Sequence, residues 1–440
     1  MSATITTQSS QVPVITPEVE FVPPPGRYRS LAAMAVAFVV DNQEGGLINV
    51  LFPVIMQALA LPLSALGVLG SISRFARMLF GPLWAMAADR WGRKRVLFIV
   101  TGVWGIWTVL AGFAQDYQQL LILYTIGVIG TVGAEPIVQG MVPDYFKETE
   151  TGKAFGFLRS TAGFGALVLT PLIGQLANVD NGWRYGMFIM GGIAIVSGIL
   201  ILLMVHEPEA KGGPNAHASA FDFKAMGGLF KTPTILLMAV SIIFVTLLVL
   251  QTFFVTYFVK VRGWETSGAA MLMTVWMGGF MISSFVGGML GDWFDKRFGP
   301  KGRIMMFQLY CVAFAALTYI ALQVDWGKGP IVYGIVFLLG LVTAVGFSGA
   351  IAPMVSAVVP RSVSATAFGL LFGLIQGLIA ALLSLVAGNL AESYGLAAVM
   401  FWMVTVPYIL NAGFWFLFYP FYPKDVAAQV ARTAAEKAIA

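Results

Sequence analysis

Apolar stretches of about 20 residues, the length a helix needs to cross a hydrocarbon core about 30 Å thick, recur twelve times along the chain. They fall at residues 30–59, 64–88, 96–114, 118–144, 152–178, 183–205, 233–259, 265–291, 303–322, 330–358, 365–390 and 395–420. Each run is continuous, without the polar alternation of a membrane β-strand. Only helices and closed barrels satisfy the backbone in lipid, so the pattern predicts an all-α integral membrane protein with twelve transmembrane helices. Composition agrees: 58% of residues are hydrophobic and 11% charged, against roughly 25% charged in soluble domains.

The breaks in the pattern divide the chain. Residues 1–29 are polar and rich in Thr and Pro, and lack the basic, apolar, small-residue order of a signal peptide, which predicts a disordered cytoplasmic tail. Residues 30–205 form one six-helix bundle and 232–420 a second, joined by a charged, Gly- and Pro-containing loop at 206–231. Residues 421–440 form a second cytoplasmic tail. With both ends on one side, that side collects 19 of the 26 Lys and Arg, and the opposite loops hold four: Arg184, Lys260, Arg262 and Lys328. The asymmetry predicts cytoplasmic termini in an inner, plasma-type membrane. The net charge of +5 then reflects topology; positive charge scattered over short loops does not make a nucleic-acid surface.

The loops after the second and eighth spans repeat one another. AMAADRWGRKR runs over 85–95 and GDWFDKRFGPKGR over 291–303, with Asp89 and Asp295 in equivalent places. These loops resemble the G-x-x-x-D-[RK]-x-G-[RK]-[RK] signature of the major facilitator superfamily of transporters, and the twelve spans and the central loop extend the resemblance over residues 28–421. The second copy is stretched by Pro300 and Lys301, and the first has Ala85 where the family prefers Gly. The resemblance implies two pseudo-symmetric bundles rocking about a central site, so that the site opens to alternate sides. Within the loops, Asp89, Arg90, Gly92, Arg93, Asp295, Lys296 and Arg303 are the candidate conformational latch. Asp89 is expected to meet the start of the eleventh span, PRSVSATAFG, and Asp295 the start of the fifth, each accepting from a helix N-terminus when the cytoplasmic side is shut.

Charge inside the spans is the remaining signal. Asp41, Glu44 and Glu135 are the acids well inside, and a charge there costs about 2.5–3.5 kcal/mol on insertion scales, so each needs a partner or a task. Asp41 and Arg77 both lie about 16 Å from the cytoplasmic side, Glu44 and Arg74 about 21 Å. The spacing predicts a ladder of two ion pairs between the first two helices. Glu135, about 15 Å deep, precedes Pro136, which bends its helix and aims the acid into a cavity. Arg159 lies shallower, at about 10 Å.

Arginine keeps its proton, whereas a carboxyl removed from water can hold one. Asp41, Glu44 and Glu135 are therefore the candidate proton-coupling acids. Arg74, Arg77 and Arg159 are candidate anion-binding groups, with Gln251, Trp276 and Gln376 from the otherwise uncharged second half completing the substrate site. The reading is proton-coupled symport of a small organic anion by alternating access. Drug efflux fits less well: Tyr124 stands where drug antiporters of the superfamily carry an arginine, and Thr170 before Pro171 matches their fifth-helix Gly-Pro only in part. The acid in the first helix and Gly-Ala-Glu in the fourth resemble organic-anion symporters and spinster-like transporters, although Asn42 replaces the arginine that usually follows the acid. A ligand-binding sensor on the same fold remains open and would bind without flux.

Cys311 is the single cysteine, within the ninth span, and His206 and His217 both fall in the central loop. No metal site, cofactor or enzyme activity is expected. The expected partners are a small-molecule substrate, protons and the lipid bilayer, with the chain acting as a monomer.

Overall fold

A computed structural model describes residues 24–207, 229–360 and 363–439. Most of the expected tail at 1–29 and of the central loop at 206–231 lies outside them, as do His217, Arg361 and Ser362.

Among the described residues there is no strand. Eleven helices are long and apolar enough to cross a membrane: α1 Arg27–Ala58, α3 Arg93–Ala111, α4 Tyr117–Tyr145, α5 Glu150–Asn178, α6 Gly182–Met204, α7 Pro233–Lys260, α8 Thr266–Phe298, α9 Pro300–Gln323, α10 Pro330–Val358, α11 Thr366–Tyr394 and α12 Leu396–Phe418. The twelfth, α2 at Ser64–Trp91, is 28 residues long and carries Arg74 and Arg77 in its middle. A further helix, α13 at Tyr422–Ile439, follows the last span. It is tied to the start of α7 by Asp425, whose carboxylate accepts from the Thr234 amide at 2.9 Å and hydroxyl at 2.6 Å.

The sequence explains the main irregularities. Pro136 has no N–H to offer the carbonyl four residues back, and α4 opens there: its helical turns stop at Thr131 and restart at Ala134. Glu135 therefore sits in the first turn of a new helical segment. Between α2 and α3 the chain reverses on Gly92 with φ +94°, and in the second copy of the loop on Gly299 with φ +62°, angles that favour glycine.

In the first bundle α1 packs on α5 and α6, and α3 on α6; in the second, α8 packs on α10 and α9 on α12. Between the bundles α2 packs on the Gln376–Tyr394 part of α11, α5 on α8, and α1 on the Leu247–Lys260 part of α7. Those parts of α7 and α11 are the halves remote from the face that bears the chain ends. Backbones touch at that remote end: a methyl added to Gly67 would come 2.5 Å from the Ser384 carbonyl oxygen and 2.8 Å from Gly388 Cα, and one on Gly174 would run into Ala270 Cβ. The molecule is therefore closed at the remote face.

Candidate functional site

Arg77 on α2 projects into its own bundle, between two acids. Its Nη1 lies 2.9 Å from Glu135 Oε2 and 3.7 Å from Asp41 Oδ2. Glu135 is here because α4 breaks beside Pro136; its other oxygen accepts from Gln139 Nε2 at 2.9 Å. The Arg77 and Glu135 side chains are 43% and 27% exposed, whereas the Asp41 side chain, 2% exposed, lies behind them.

The expected pairing of Glu44 with Arg74 does not occur. Arg74 turns away, across the bundle boundary: Nη2 donates to the Leu248 carbonyl at 2.7 Å and Thr252 Oγ1 at 2.8 Å, and Nε to Ser384 Oγ at 3.2 Å. Glu44 instead accepts from Thr108 Oγ1 of α3 at 2.9 Å. Depth matched the pairs, but a three-residue step also rotates a side chain by about 60° around the helix axis. On α2 that rotation separates a sector facing α1 and α4 from one facing α7 and α11.

Behind Arg77, helices α1, α2, α3, α4 and α6 border a partly open cavity lined by Asp41, Glu44, Arg77, Trp107, Thr108 and Tyr124 among others. It leaves about 30 Å³ for water centres.

Other expected site residues are scattered. Arg159 is exposed on α5 and joins no ion pair among the described residues. Trp276 is 2% exposed, stacks on Phe254 at 5.2 Å and donates from Nε1 to Thr343 Oγ1 at 3.0 Å, so in this conformation it packs the second bundle and does not line a site. Gln251 and Gln376 are half-buried on α7 and α11; the latter borders α2, since a methyl on the adjacent Gly377 would touch Met78. Thr108, Ser384 and the Leu248 carbonyl were missed. A threonine or serine in an apolar run carries no signal of its own, and a main-chain carbonyl carries none at all.

The signature residues form two similar brackets, each within its own bundle. Arg93 at the start of α3 donates to Asp89 at 2.9 Å, to the Gly140 carbonyl of α4 at 2.7 Å and to Asp144. Arg303 near the start of α9 donates to Asp292 and Asp295, both at 3.1 Å, and to the Gly349 carbonyl of α10 at 2.9 Å. Arg90 and Lys296 are exposed. Asp89 and Asp295 are thus held by arginines of their own half, in a conformation closed at the opposite face. The segment expected to meet Asp89 is described only at Pro360 and from Val363 onward.

Comparison with known proteins supplies the family. The family model described as Major Facilitator Superfamily matches residues 32–383. The chain is 24% identical over 355 residues to a probable 4-methylmuconolactone transporter of Cupriavidus pinatubonensis, covering 78% of this chain and 79% of that one. It is 26% identical over 276 residues to a probable galactarate/D-glucarate transporter of Escherichia coli, covering 54% and 60%. Among solved structures, a bacterial homolog of the human lysosomal transporter Spinster, inward-facing and occupied, superposes with a TM-score of 0.75 at 20% identity, over 92% of this chain and 99% of that one.

Proposed function

Because the chain belongs to the Major Facilitator Superfamily, and so is a multi-pass membrane transporter working by alternating access, we propose that it couples inward proton flow to symport of a small organic anion. The carrying observation is Arg77 shared between Asp41 and Glu135. A proton taken up by either acid removes one of the two charges holding the guanidinium. Arg77 is then free to present its planar fork of donors to a substrate carboxylate. When the anion leaves, Arg77 returns to its acids and expels the proton, so that neither ligand crosses alone.

Arg74 complements this arrangement. Its three contacts across the bundles are to neutral oxygens, so its charge is solvated but not neutralised. In the state open at the remote face these contacts part, and Arg74 becomes a first docking point for an anion. The relatives named for galactarate, D-glucarate and a muconolactone suggest sugar acids and ring-cleavage acids as the substrate class. The Lys and Arg distribution supports cytoplasmic termini in an inner membrane; the proposed working unit is a single chain.

Uptake of labelled galactarate, glucarate and muconolactone into proteoliposomes of the purified protein tests this. Uptake should exceed that of empty liposomes and rise severalfold with an inward proton gradient. Accumulation indifferent to that gradient would overturn the coupling.

A further inference from the structure

Three observations in the first bundle stay unexplained by that cycle. Among the described residues Glu44 has no cation within ion-pair distance; its bond is the neutral one from Thr108. Asp41 Oδ2, buried, has no hydrogen-bond partner among the described residues, since Arg77 stands 3.7 Å away. A cavity with about 30 Å³ for water centres adjoins both acids, room for about two waters.

One proton accounts for all three. The charged groups near the cavity are Asp41 and Glu44 on α1, Arg77 on α2 with its partner Glu135 on α4, and Arg74 on the far side of α2; α3 contributes Trp107 and Thr108, α4 also Tyr124, and α6 Met187. Arg77 is the arginine that faces these acids, and the two it holds are Asp41 and Glu135; Arg74 is turned to neutral oxygens of the other bundle. Glu44 is the acid left over, against the apolar side chains of Leu47, Ile48, Trp107, Leu123 and Met187. Glu44 is half-buried, and an ionised carboxylate there would face largely apolar walls with no counter-charge among the described residues, which disfavours it. A neutral carboxylic acid costs little. Glu44 and Asp41 also share a helix face, three residues apart.

We propose that Glu44 keeps a resident proton and donates its O–H, through water in this cavity, to Asp41 Oδ2. Thr108 fixes the acid by donating to its other oxygen, Oε1. Glu44 is thereby a positioning residue for Asp41: it satisfies the buried oxygen of the ion pair without adding a charge, and the transported proton titrates the Asp41, Arg77 and Glu135 group alone. The inference deepens the coupling reading, but it concerns a proton present without substrate and is tested without one.

Difference infrared spectra of the purified protein, recorded at neutral pH in H₂O and D₂O, read protonated carboxyls directly. The wild type should show a deuterium-sensitive protonated-carboxyl C=O band with no substrate present. Glu44→Gln should remove the band, Asp41→Asn and Glu135→Gln should retain it, and Thr108→Val should shift it to higher frequency by removing the bond onto the acid's carbonyl. No band in the wild type, or a band that survives in Glu44→Gln, overturns the proposal. Glu44→Gln is isosteric and its amide can accept from Thr108 and donate to water, while the Thr108→Val shift gives a second reading should Glu44→Gln fold poorly. Loss of proton-driven uptake in liposomes with the band intact would strike the coupling reading and leave this one standing.

Discussion

The two bundles share an architecture and differ in what they bury. In the first, Asp41, Glu44, Glu135, Arg74 and Arg77 lie at mid-depth; in the second the corresponding positions of α7, displaced by 206 residues, are Leu247 and Leu250, and those of α8 are Phe280 and Ser283. The second bundle offers Arg74 only neutral acceptors: a hydroxyl from each of α7 and α11, and the Leu248 carbonyl. The difference teaches a division of labour. In the mechanism we propose, one half stores charge that a proton rearranges, and the other presents a neutral surface on which the rearranged half slides. Were both halves charged, every change of access would have to break buried ion pairs across the boundary, each costing about 3–5 kcal/mol.

The sharpest way to break this comparison is at Arg77. Arg77→Gln leaves Asp41 and Glu135 together without a cation; thermal unfolding in detergent should show a loss of about 1–3 kcal/mol, and liposome uptake should fall by about 100-fold, or ~2.8 kcal/mol. Adding Asp41→Asn should restore much of the stability and none of the uptake. If Arg77→Gln alone behaves like wild type, the first bundle is not where coupling resides.

Next in size is the response to pH. Uptake by the wild type should rise as the outside is acidified, because protonating an acid of the Arg77 group frees the guanidinium. Asp41→Asn and Glu135→Gln should each flatten that profile, and substrate exchange without a gradient should persist. A profile of unchanged slope in both variants would remove these acids from the coupling.

Arg74 probes the boundary itself. Arg74→Gln should raise the KM for uptake by about tenfold, or ~1.4 kcal/mol, with a smaller change in maximal rate. Thr252→Val and Ser384→Ala each remove one neutral acceptor worth about 1 kcal/mol and should shift the conformational balance up to about fivefold toward the state open at the remote face. Spin labels on α2 and α11 at that face would report the shift as longer distances.

The smallest effect is expected in the signature brackets. Asp89→Asn should change stability by less than about 1 kcal/mol, the range of exposed ion pairs, because Arg93 retains Asp144 and the Gly140 carbonyl. Its transport rate should nonetheless change if Asp89 exchanges Arg93 for a partner in the other bundle when that face shuts. Unchanged uptake in both Asp89→Asn and Asp295→Asn would reduce the loops to topology signals.

Much of this was legible in the chain. Apolar runs of membrane length and the doubled loop disclosed twelve helices in two related halves, since lipid allows few other ways to satisfy a backbone. Buried acids and arginines marked themselves by their cost, and the depth of Asp41 against Arg77 could be counted from helix ends. Counting supplies height along a helix but not direction around it. That is why Glu44 and Arg74 appeared to be partners, why Trp276 appeared to line a site, and why Glu135, at the start of a helical segment reset by Pro136, was assigned to a cavity and not to the ion pair it forms with Arg77. The amino-acid order determined which charges enter the membrane, and at what depth. Tertiary packing alone decided which of them meet, because a three-residue step turns neighbouring arginines into different sectors, and only the arrangement of surrounding helices says what each sector contains.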